Sequence, residues 1–367
     1  MELREHQKDA VAALLAHARG IIRVPAGGGK TIIAAAAVAE LPAGQRLLWI
    51  ANTTEQCEQA REALALTWAR NRCSTVTVRC AAGGWSGEVA DVLVVDECHH
   101  GPAEQWESII RNCGATIRWG MTATPYRKDD LAGRVFSLLG PIIYDIDRIA
   151  LESAGHLTRA RVTFHGINDK DEMARQIERV AQAEWESRMR RWPRLDPVEQ
   201  RKRCLWQAAQ QIGIVDNARR NRYAQALARE LVQAGRSLLM LIGSVEHGAA
   251  LAEGIPGAAV VYSKLGAKVR RQRIEAARSG DLRCLIATSL ADEGLDIPRA
   301  DTLILVHGGR SAAKLEQRTG RVLRAFEGKE HGEIHDFTDV QHGMLAAQAR
   351  SRSYVYKKLG YEVIWPK

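Results

Sequence analysis

Val24-Pro25-Ala26-Gly27-Gly28-Gly29-Lys30-Thr31 follows the apolar pair Ile21-Ile22 and opens onto an alanine-rich run that ends at Glu40. Glycines carry no Cβ, so the backbone N–H groups of Gly27, Gly28 and Gly29 can curl around phosphate oxygens while the positive end of a following helix points at them. In a loop of this kind Lys30 reaches the β- and γ-phosphates and Thr31 ligates Mg²⁺. Val24 stands where the strict G-x-x-x-x-G-K-[ST] spacing has its first glycine. Alone, the stretch also reads as a glycine turn capping an ordinary helix.

Val92-Leu93-Val94-Val95-Asp96-Glu97-Cys98-His99-His100 shifts that balance. Four successive apolar residues suit a strand buried on both faces of a parallel sheet, and the carboxyl end of such a strand is where these sheets place ligands. Two carboxylates stand there. Asp96 would hold Mg²⁺ through its water shell, and Glu97 would orient and deprotonate an attacking water. The neighbouring Cys98, His99 and His100 point in different directions along a strand end, and the nearest other cysteine, Cys113, lacks a paired cysteine, so they do not suggest a metal site of their own.

The 367 residues allow two α/β domains of ordinary size. A 46% hydrophobic and 26% charged composition is that of a globular chain and excludes a disordered one. No apolar run is long enough to cross a bilayer and no charged-then-apolar leader opens the sequence, so a cytoplasmic protein without a membrane partner is expected. Seven scattered cysteines without C-x-x-C pairs indicate neither a disulfide framework nor a zinc ribbon. The net charge of +9 is unevenly placed: residues 1–150 hold 16 basic and 17 acidic side chains, and residues 151–367 hold 36 and 26. That asymmetry favours a polyanionic partner, although a solubilising surface has the same signature.

Strand candidates Gly20–Val24, Arg46–Ala51, Thr75–Arg79, Asp91–Val95 and Thr116–Met121 alternate with helical runs at Lys30–Glu40 and Thr54–Ala69, the pattern of a parallel sheet with right-handed crossovers. Residues 151–222 read as a linker and a basic helical insert, charged and helix-favouring from about Asn168 onward. Arg188, Arg190, Arg191, Arg194, Arg201, Lys202 and Arg203 are there interleaved with Trp185, Trp192 and Trp206. Such a segment either grips phosphates and stacks bases or is a hairpin with a solvated basic face. A second α/β series follows from 223, with strand candidates at Ser237–Ile242, Ala258–Tyr262, Arg283–Ala287, Thr302–Val306 and Gly332–Asp336. In Gln317-Arg318-Thr319-Gly320-Arg321-Val322-Leu323-Arg324, residues Gln317, Arg321 and Arg324 fall on one helical face, which would carry two guanidinium groups to a γ-phosphate.

Taken in order, these elements resemble a superfamily 2 DExH-type helicase over most of the chain. Leu3-Arg4-Glu5-His6-Gln7 is similar to the adenine-recognising Q element, Val24–Thr31 to motif I, Trp49–Gln56 to a divergent motif Ia, Asp96–His99 to motif II and Thr122-Ala123-Thr124-Pro125 to motif III. Leu241–Ser244 resembles motif IV, Ala287–Pro298 motif V and Gln317–Arg324 motif VI. The opening Leu-Arg-x-x-Gln, the Asp-Glu-Cys-His-His form and the closing Gln-Arg-Thr-Gly-Arg-Val-Leu-Arg look most like the XPB-like and UvsW-like group, which acts mainly on DNA.

The resemblance implies two RecA-like parallel-sheet lobes in tandem, ATP and Mg²⁺ as cofactors, and a monomer that acts on nucleic acid, DNA before RNA. It assigns Lys30, Asp96, Glu97, Gln317, Arg321 and Arg324 to catalysis. Arg4, Gln7, Gly27, Gly28, Gly29, Lys30, Thr31, Gly294 and Asp296 fall to the nucleotide, with Thr31 and Asp96 on the metal. Thr53, Ser244 and Thr288 are the expected contacts to the phosphodiester backbone, while Thr122 and Thr124 couple the two sites. The same motifs serve an RNA helicase or an annealing motor that remodels duplexes without processive unwinding. A nucleotide-regulated binding module is the reading from another class.

Overall fold

Every residue from Val92 to Val95 is shielded from solvent, the condition of a strand covered by helices on both faces. The computed structural model describes residues 2–100, 103–123, 132–167, 171–288, 295, 297–309, 312–323, 326, 329 and 331–366. The chain divides into two compact units, Met1–Leu157 with Glu293–Leu295, and Thr158–Asp292 with Asp296–Lys367.

The first unit contains strands β1 (Arg19–Arg23), β2 (Arg46–Ala51), β3 (Thr75–Cys80), β4 (Val92–Val95), β5 (Ile117–Thr122) and β6 (Ile142–Asp145). They form one parallel sheet in the order β3-β2-β4-β5-β1-β6. Its helices are α1 (Glu5–Ala16), α2 (Lys30–Glu40), α3 (Thr54–Leu66), α4 (Ala69–Arg72), α5 (Glu104–Asn112), α6 (Ala132–Leu139) and α7 (Arg148–Ser153). The pleat sends alternate strand residues to opposite faces. Ile22, Leu47, Trp49, Val92 and Val94 pack against α1, α2 and α3, whereas Ile21, Leu48, Ile50, Leu93 and Val95 pack against α5 and α6. Burying both faces is what lets four consecutive apolar residues share one strand.

All five expected strands of this unit are present within a residue of their expected ends. The helix expected over Thr54–Ala69 stops at Leu66 and restarts at Ala69, because Trp68 takes a left-handed backbone, φ +62°, that an α-helix cannot continue through. Strand β6 was not foreseen. It is four residues long, half-buried and at the sheet edge, so it carries too little of an alternating or apolar signal.

The second unit contains β7 (Arg159–His165), β8 (Leu238–Leu241), β9 (Ala259–Val261), β10 (Cys284–Ala287), β11 (Thr302–Leu305), β12 (His331–Phe337) and β13 (Glu362–Ile364). These strands are again parallel, in the order β13-β7-β12-β11-β8-β10-β9. Its helices are α8 (Asp171–Arg191), α9 (Pro197–Gln210), α10 (Ala218–Gln233), α11 (Val245–Glu253), α12 (Ala267–Ser279), α13 (Ala312–Arg321) and α14 (Gly343–Lys358).

The stretch 151–222, read from sequence as linker and insert, divides differently. Strand β7 lies within it and pairs with β12 along all seven residues, Arg159 opposite His331 through His165 opposite Phe337. The second lobe therefore begins at Thr158, and the helical hairpin α8–α9 is an insertion inside that lobe, between β7 and β8. Asp196 ends the turn of the hairpin by accepting the N–H groups of Val198 and Glu199 at 2.8 and 3.3 Å, with Pro197 at the first helical position. At its base Ile177, Ala181, Ala208, Ala209 and Ile214 pack with Leu345 of α14.

Two buried ion pairs brace the unit: Arg220 on Asp339, with its guanidinium 4.2 Å over the Phe337 ring, and Arg352 on Asp336. A fragment 158–367 is expected to unfold in one cooperative transition. A fragment 223–367, stripped of β7, leaves β12 and β13 without the strand between them and is expected to show no cooperative urea transition by circular dichroism.

Candidate active site

Strands β4, β5 and β1 are neighbours in a sheet whose strands all run the same way, so the segments leaving their carboxyl ends meet at one edge. Strand β1 delivers the glycine loop, β4 the acid pair and β5 Thr122. A backbone hydrogen bond from Val24 N–H to the Thr122 carbonyl, 3.1 Å, joins the first of these segments to the third.

In the loop, Gly27 and Gly29 have φ of +88° and +87°, a backbone that side chains resist. A Cβ on Gly28 would collide with Val24 and crowd Leu151 of α7, and one on Gly29 would collide with the Gln7 amide. Helix α2 begins at Lys30, directly behind Gly29, so its first N–H groups and positive dipole end face the loop. The Lys30 ammonium donates to the Val24 carbonyl at 3.2 Å. Thr31 is half-buried in the first turn.

Helix α1 supports this loop from outside. The buried His6 ring nitrogen Nε2 lies 3.0 Å from the Gly28 carbonyl, and the ring sits 5.0 Å from that of His156. Gln7 is buried with its Oε1 accepting from Arg4 N–H at 3.0 Å, which caps its own helix, while its amide nitrogen rests against Gly29. Arg4 is exposed immediately before the helix.

Asp96 and Glu97 are both buried, and Glu97 adopts a left-handed backbone, φ +46°. The Glu97 N–H donates to Asp96 Oδ1 at 2.9 Å. Burial first and the Glu97 charge second push the Asp96 carboxyl up to about 7, against the pull of the nearby Lys30 ammonium. Glu97 Oε2 lies 3.5 Å from the Thr122 hydroxyl and 3.4 Å from His99 Nδ1, which is itself 3.1 Å from that hydroxyl. A carboxylate held between an imidazole and a hydroxyl is aimed, not free to rotate. Cys98 is buried with its sulfur turned toward Gly120, and its thiol is held well above the usual range by burial.

These groups fit a nucleoside triphosphate with Mg²⁺: glycine N–H groups, a helix start and one ammonium for phosphate oxygens, and the oxygens of Thr31 and Asp96 for the cation. Among the described residues no cluster of three or more His, Cys, Asp or Glu could hold a metal by itself. Mg²⁺ needs no such cluster, since it takes one or two carboxylates and leaves other positions to water and phosphate.

Residues 1–80 and 84–127 match the family model of the type III restriction enzyme res subunit, and residues 226–326 match the helicase conserved C-terminal domain. The chain belongs to the superfamily 2 helicases, in the XPB-like group. Among its relatives are a protein of Sulfolobus islandicus filamentous virus named as a helicase, 30% identical over 67% of this chain and 42% of its own length, and the DNA 3'-5' translocase XPB2 of Sulfurisphaera tokodaii, 24% identical over 88% and 79%. This helicase thus spans less than half of the viral protein and most of the archaeal one. In structure it resembles the ATP-dependent Type ISP restriction-modification enzyme LlaBIII bound to DNA, with a TM-score of 0.63 at 14% identity, over 100% of this chain and 31% of that one. Saccharomyces cerevisiae Dbp5 bound to RNA and ADP BeF3 gives 0.60 at 13% identity, over 99% and 89%. Both units of this superfamily 2 helicase are RecA-like lobes, and enzymes of this class hydrolyse ATP.

The expected backbone contacts sit at strand ends. Thr53 and Ser244 are the N-caps of α3 and α11, their hydroxyls accepting from Gln56 N–H at 3.3 Å and His247 N–H at 3.2 Å. Thr288 follows β10, its N–H donating to the Val261 carbonyl at 3.3 Å. The hydroxyls of Thr53 and Ser244 are thus engaged within the protein, and what these helix starts offer outward is backbone N–H. Gln317 and Arg321 lie on α13. Thr124, Gly294, Asp296 and Arg324 fall outside the described residues. Sequence reading missed His6 and gave His99 no role; an imidazole beside a motif residue has no signature of its own, and only the fold shows which carbonyl or carboxylate it faces.

No helix among the described residues is long and apolar enough to cross a membrane. Because the folded protein holds the Asp96 proton more tightly than an unfolded chain with its ordinary carboxyl would, stability is fully present at low pH, declines as pH rises from the ordinary carboxylate range to about 7, and is level above that. In magnesium- and nucleotide-free protein, Asp96→Asn is expected to raise urea stability at pH 8 by roughly 1–3 kcal/mol and by much less at pH 5. Equal differences at the two pH values would show that Asp96 carries no raised pKa.

Proposed function

We propose that this chain is an ATP-dependent DNA helicase or translocase that engages the phosphodiester backbone with little sequence preference, works as a monomer and operates in the cytoplasm. The observation that carries the reading is the convergence of Lys30, the Asp96–Glu97 pair and Thr122 at the adjacent carboxyl ends of β1, β4 and β5. Lys30 and the start of α2 stabilise negative charge on the phosphate chain, and Asp96 with Thr31 would hold the Mg²⁺, which when bound offsets charge on the phosphates. Glu97 takes the proton of the attacking water. The His99 and Thr122 contacts keep its carboxylate on line and tie its state to the segment that continues toward Thr124. Arg4 and Gln7 serve the base, Gly294 and Asp296 contribute to nucleotide binding, and Gln317, Arg321 and Arg324 act on the phosphates during hydrolysis.

For the strand, the α3 and α11 starts at Thr53 and Ser244 supply N–H groups, and Thr288 its hydroxyl, that read phosphate and not base. The names of the Sulfurisphaera translocase and of the DNA-bound restriction enzyme support DNA as the track and, for the former, the 3'-5' direction.

The hairpin α8–α9 offers the strand a further basic surface on the second unit. Arg190, Arg191 and Arg194 are exposed, as are Trp192 and Trp206, and the Arg191 guanidinium lies 4.8 Å from the Trp192 ring centroid. Trp185 is different: its indole N–H donates to the Pro197 carbonyl at 2.9 Å, so it locks the two helices together.

Lys30→Ala and Glu97→Gln are each expected to lower DNA-stimulated ATP turnover by about 100-fold or more, with Glu97→Gln still binding a fluorescent ATP analogue. Turnover close to the parent's would remove the assigned residue from catalysis. Replacing Arg190, Arg191 and Arg194 together by Ala is expected to weaken DNA binding and make its salt dependence shallower by up to about 3 in slope, while basal ATPase stays put. Unchanged affinity would make the hairpin's charge a solvated face. ATPase stimulation across single-stranded, forked and duplex DNA and RNA ranks the tracks, and stimulation by RNA alone would overturn the DNA assignment.

A further inference from the structure

Helix α13, which carries Gln317 and Arg321, is held by side chains that lie beyond residue 326, where the match to the helicase C-terminal domain ends. The origin of the hold is Asp336 near the end of β12, fully buried. Its carboxylate accepts four hydrogen bonds: two from Arg352 at 2.8 Å each, one from the Tyr356 hydroxyl at 2.9 Å and one from Phe337 N–H at 2.7 Å. The Arg352 guanidinium also donates to the Phe337 carbonyl at 3.1 Å and to the Gly309 carbonyl at 3.5 Å. It lies so close to Gly308 that a Cβ there would collide with it. Arg352 thereby fixes the backbone that leads from β11 toward α13.

A second arm reaches the helix itself. Helix α14 ends at Lys358, and Gly360, φ +78°, reverses the chain so that Tyr361 N–H donates to the Tyr356 carbonyl at 3.0 Å. The Tyr361 ring then stacks on Tyr356, centroids 6.0 Å apart, and its hydroxyl meets the hydroxyl of Thr319 at 2.9 Å. Thr319 is fully buried in α13, two residues from both Gln317 and Arg321. Lead-in and helix are thus anchored to one carboxylate. A buried ion pair contributes little net stability compared with apolar packing of the same volume, but it admits few geometries.

We propose that Asp336, Arg352, Tyr356 and Tyr361 are positioning residues that set the placement of α13, acting through Thr319 and the Gly308–Gly309 backbone, and so support the part in hydrolysis proposed for Gln317 and Arg321. The proposal rests on the role assigned above to Gln317 and Arg321. It makes Tyr361 and Thr319 determinants of kcat, although neither touches nucleotide.

Tyr361→Phe and Thr319→Val each delete one hydroxyl and keep the shape, and both can be made in the full chain beside Thr319→Ser, which keeps the hydroxyl, and Arg321→Ala. DNA-stimulated ATPase is measured for kcat and for KM of ATP, with Tm alongside. Expected is a fall in kcat of about three- to tenfold for Tyr361→Phe and for Thr319→Val, with KM within about twofold. The double variant should be no worse than the poorer single one, as for two partners in one contact, and Thr319→Ser should stay near the parent. Parent-like kcat in both hydroxyl deletions while Arg321→Ala is inactive would overturn the positioning role. So would losses that multiply in the double variant or that simply follow Tm. Full turnover in Arg321→Ala would instead overturn the reading of the helix on which the proposal rests.

Discussion

The hydrogen bond from Val24 N–H to the Thr122 carbonyl depends on a constraint that runs through the whole first unit: every strand points the same way. A parallel sheet needs a crossover between successive strands, and every crossover here except that from β3 to β4 carries an α-helix, so both faces are covered and the carboxyl ends are left as the polar edge. The glycine loop, the acid pair and Thr122 are far apart in sequence. They become neighbours because β4, β5 and β1 are neighbours. Reverse any one of these strands and its functional segment would leave from the opposite edge.

That edge is built against stability. Asp96 is buried beside a second carboxylate, and its raised pKa is the cost of that placement. Glu97 occupies a backbone region that ordinary residues avoid. A solvated pair would cost less, but it would neither bind a cation as strongly nor hold Glu97 between His99 and Thr122. The Lys30 ammonium provides the partial compensation and is also the group poised for phosphate. His6 brings α1 into the same construction by meeting the Gly28 carbonyl, so the element that resembles a base-reading motif is at the same time a wall of the phosphate loop.

The second unit repeats the architecture with a different emphasis. Its strand ends carry Ser244 after β8 and Thr288 after β10, and the basic excess of the chain is in this half of the sequence. The α8–α9 hairpin grows from this lobe, closed at its tip by the Asp196 cap and the Trp185 hydrogen bond, and seated on α14 through Leu345. The same α14 carries Arg352 and Tyr356. One helix near the carboxyl terminus therefore supports the hairpin on one side and the approach to α13 on the other, with Phe164 and Trp365 stacked at 4.4 Å where β7 and the last residues meet.

What the amino-acid sequence determined by itself was local and chemical. Gly27 to Thr31 must make an open turn onto a helix because only glycine tolerates those dihedrals, and runs such as Val92–Val95 must be buried strands because no other element of that length hides four apolar residues in succession. The alternation of such runs with helical segments was enough for two parallel α/β lobes. Strands β6 and β13 escaped because they are three- or four-residue edge strands without a single buried position, whereas the equally short edge strand β9 sits in the unbroken apolar run 258–262, and β7 escaped because its alternating pattern precedes the long helical insert. Only the tertiary structure decided that β7 belongs with β12, that His6 and His99 face the loop and the acid pair, and that Asp336, Arg352 and Tyr361 converge on the approach to Thr319. Those outcomes depend on which groups far apart in the chain are brought within hydrogen-bonding distance. A buried polar contact leaves no periodic trace in the sequence, because its partner is selected by packing in three dimensions and not by spacing along the chain.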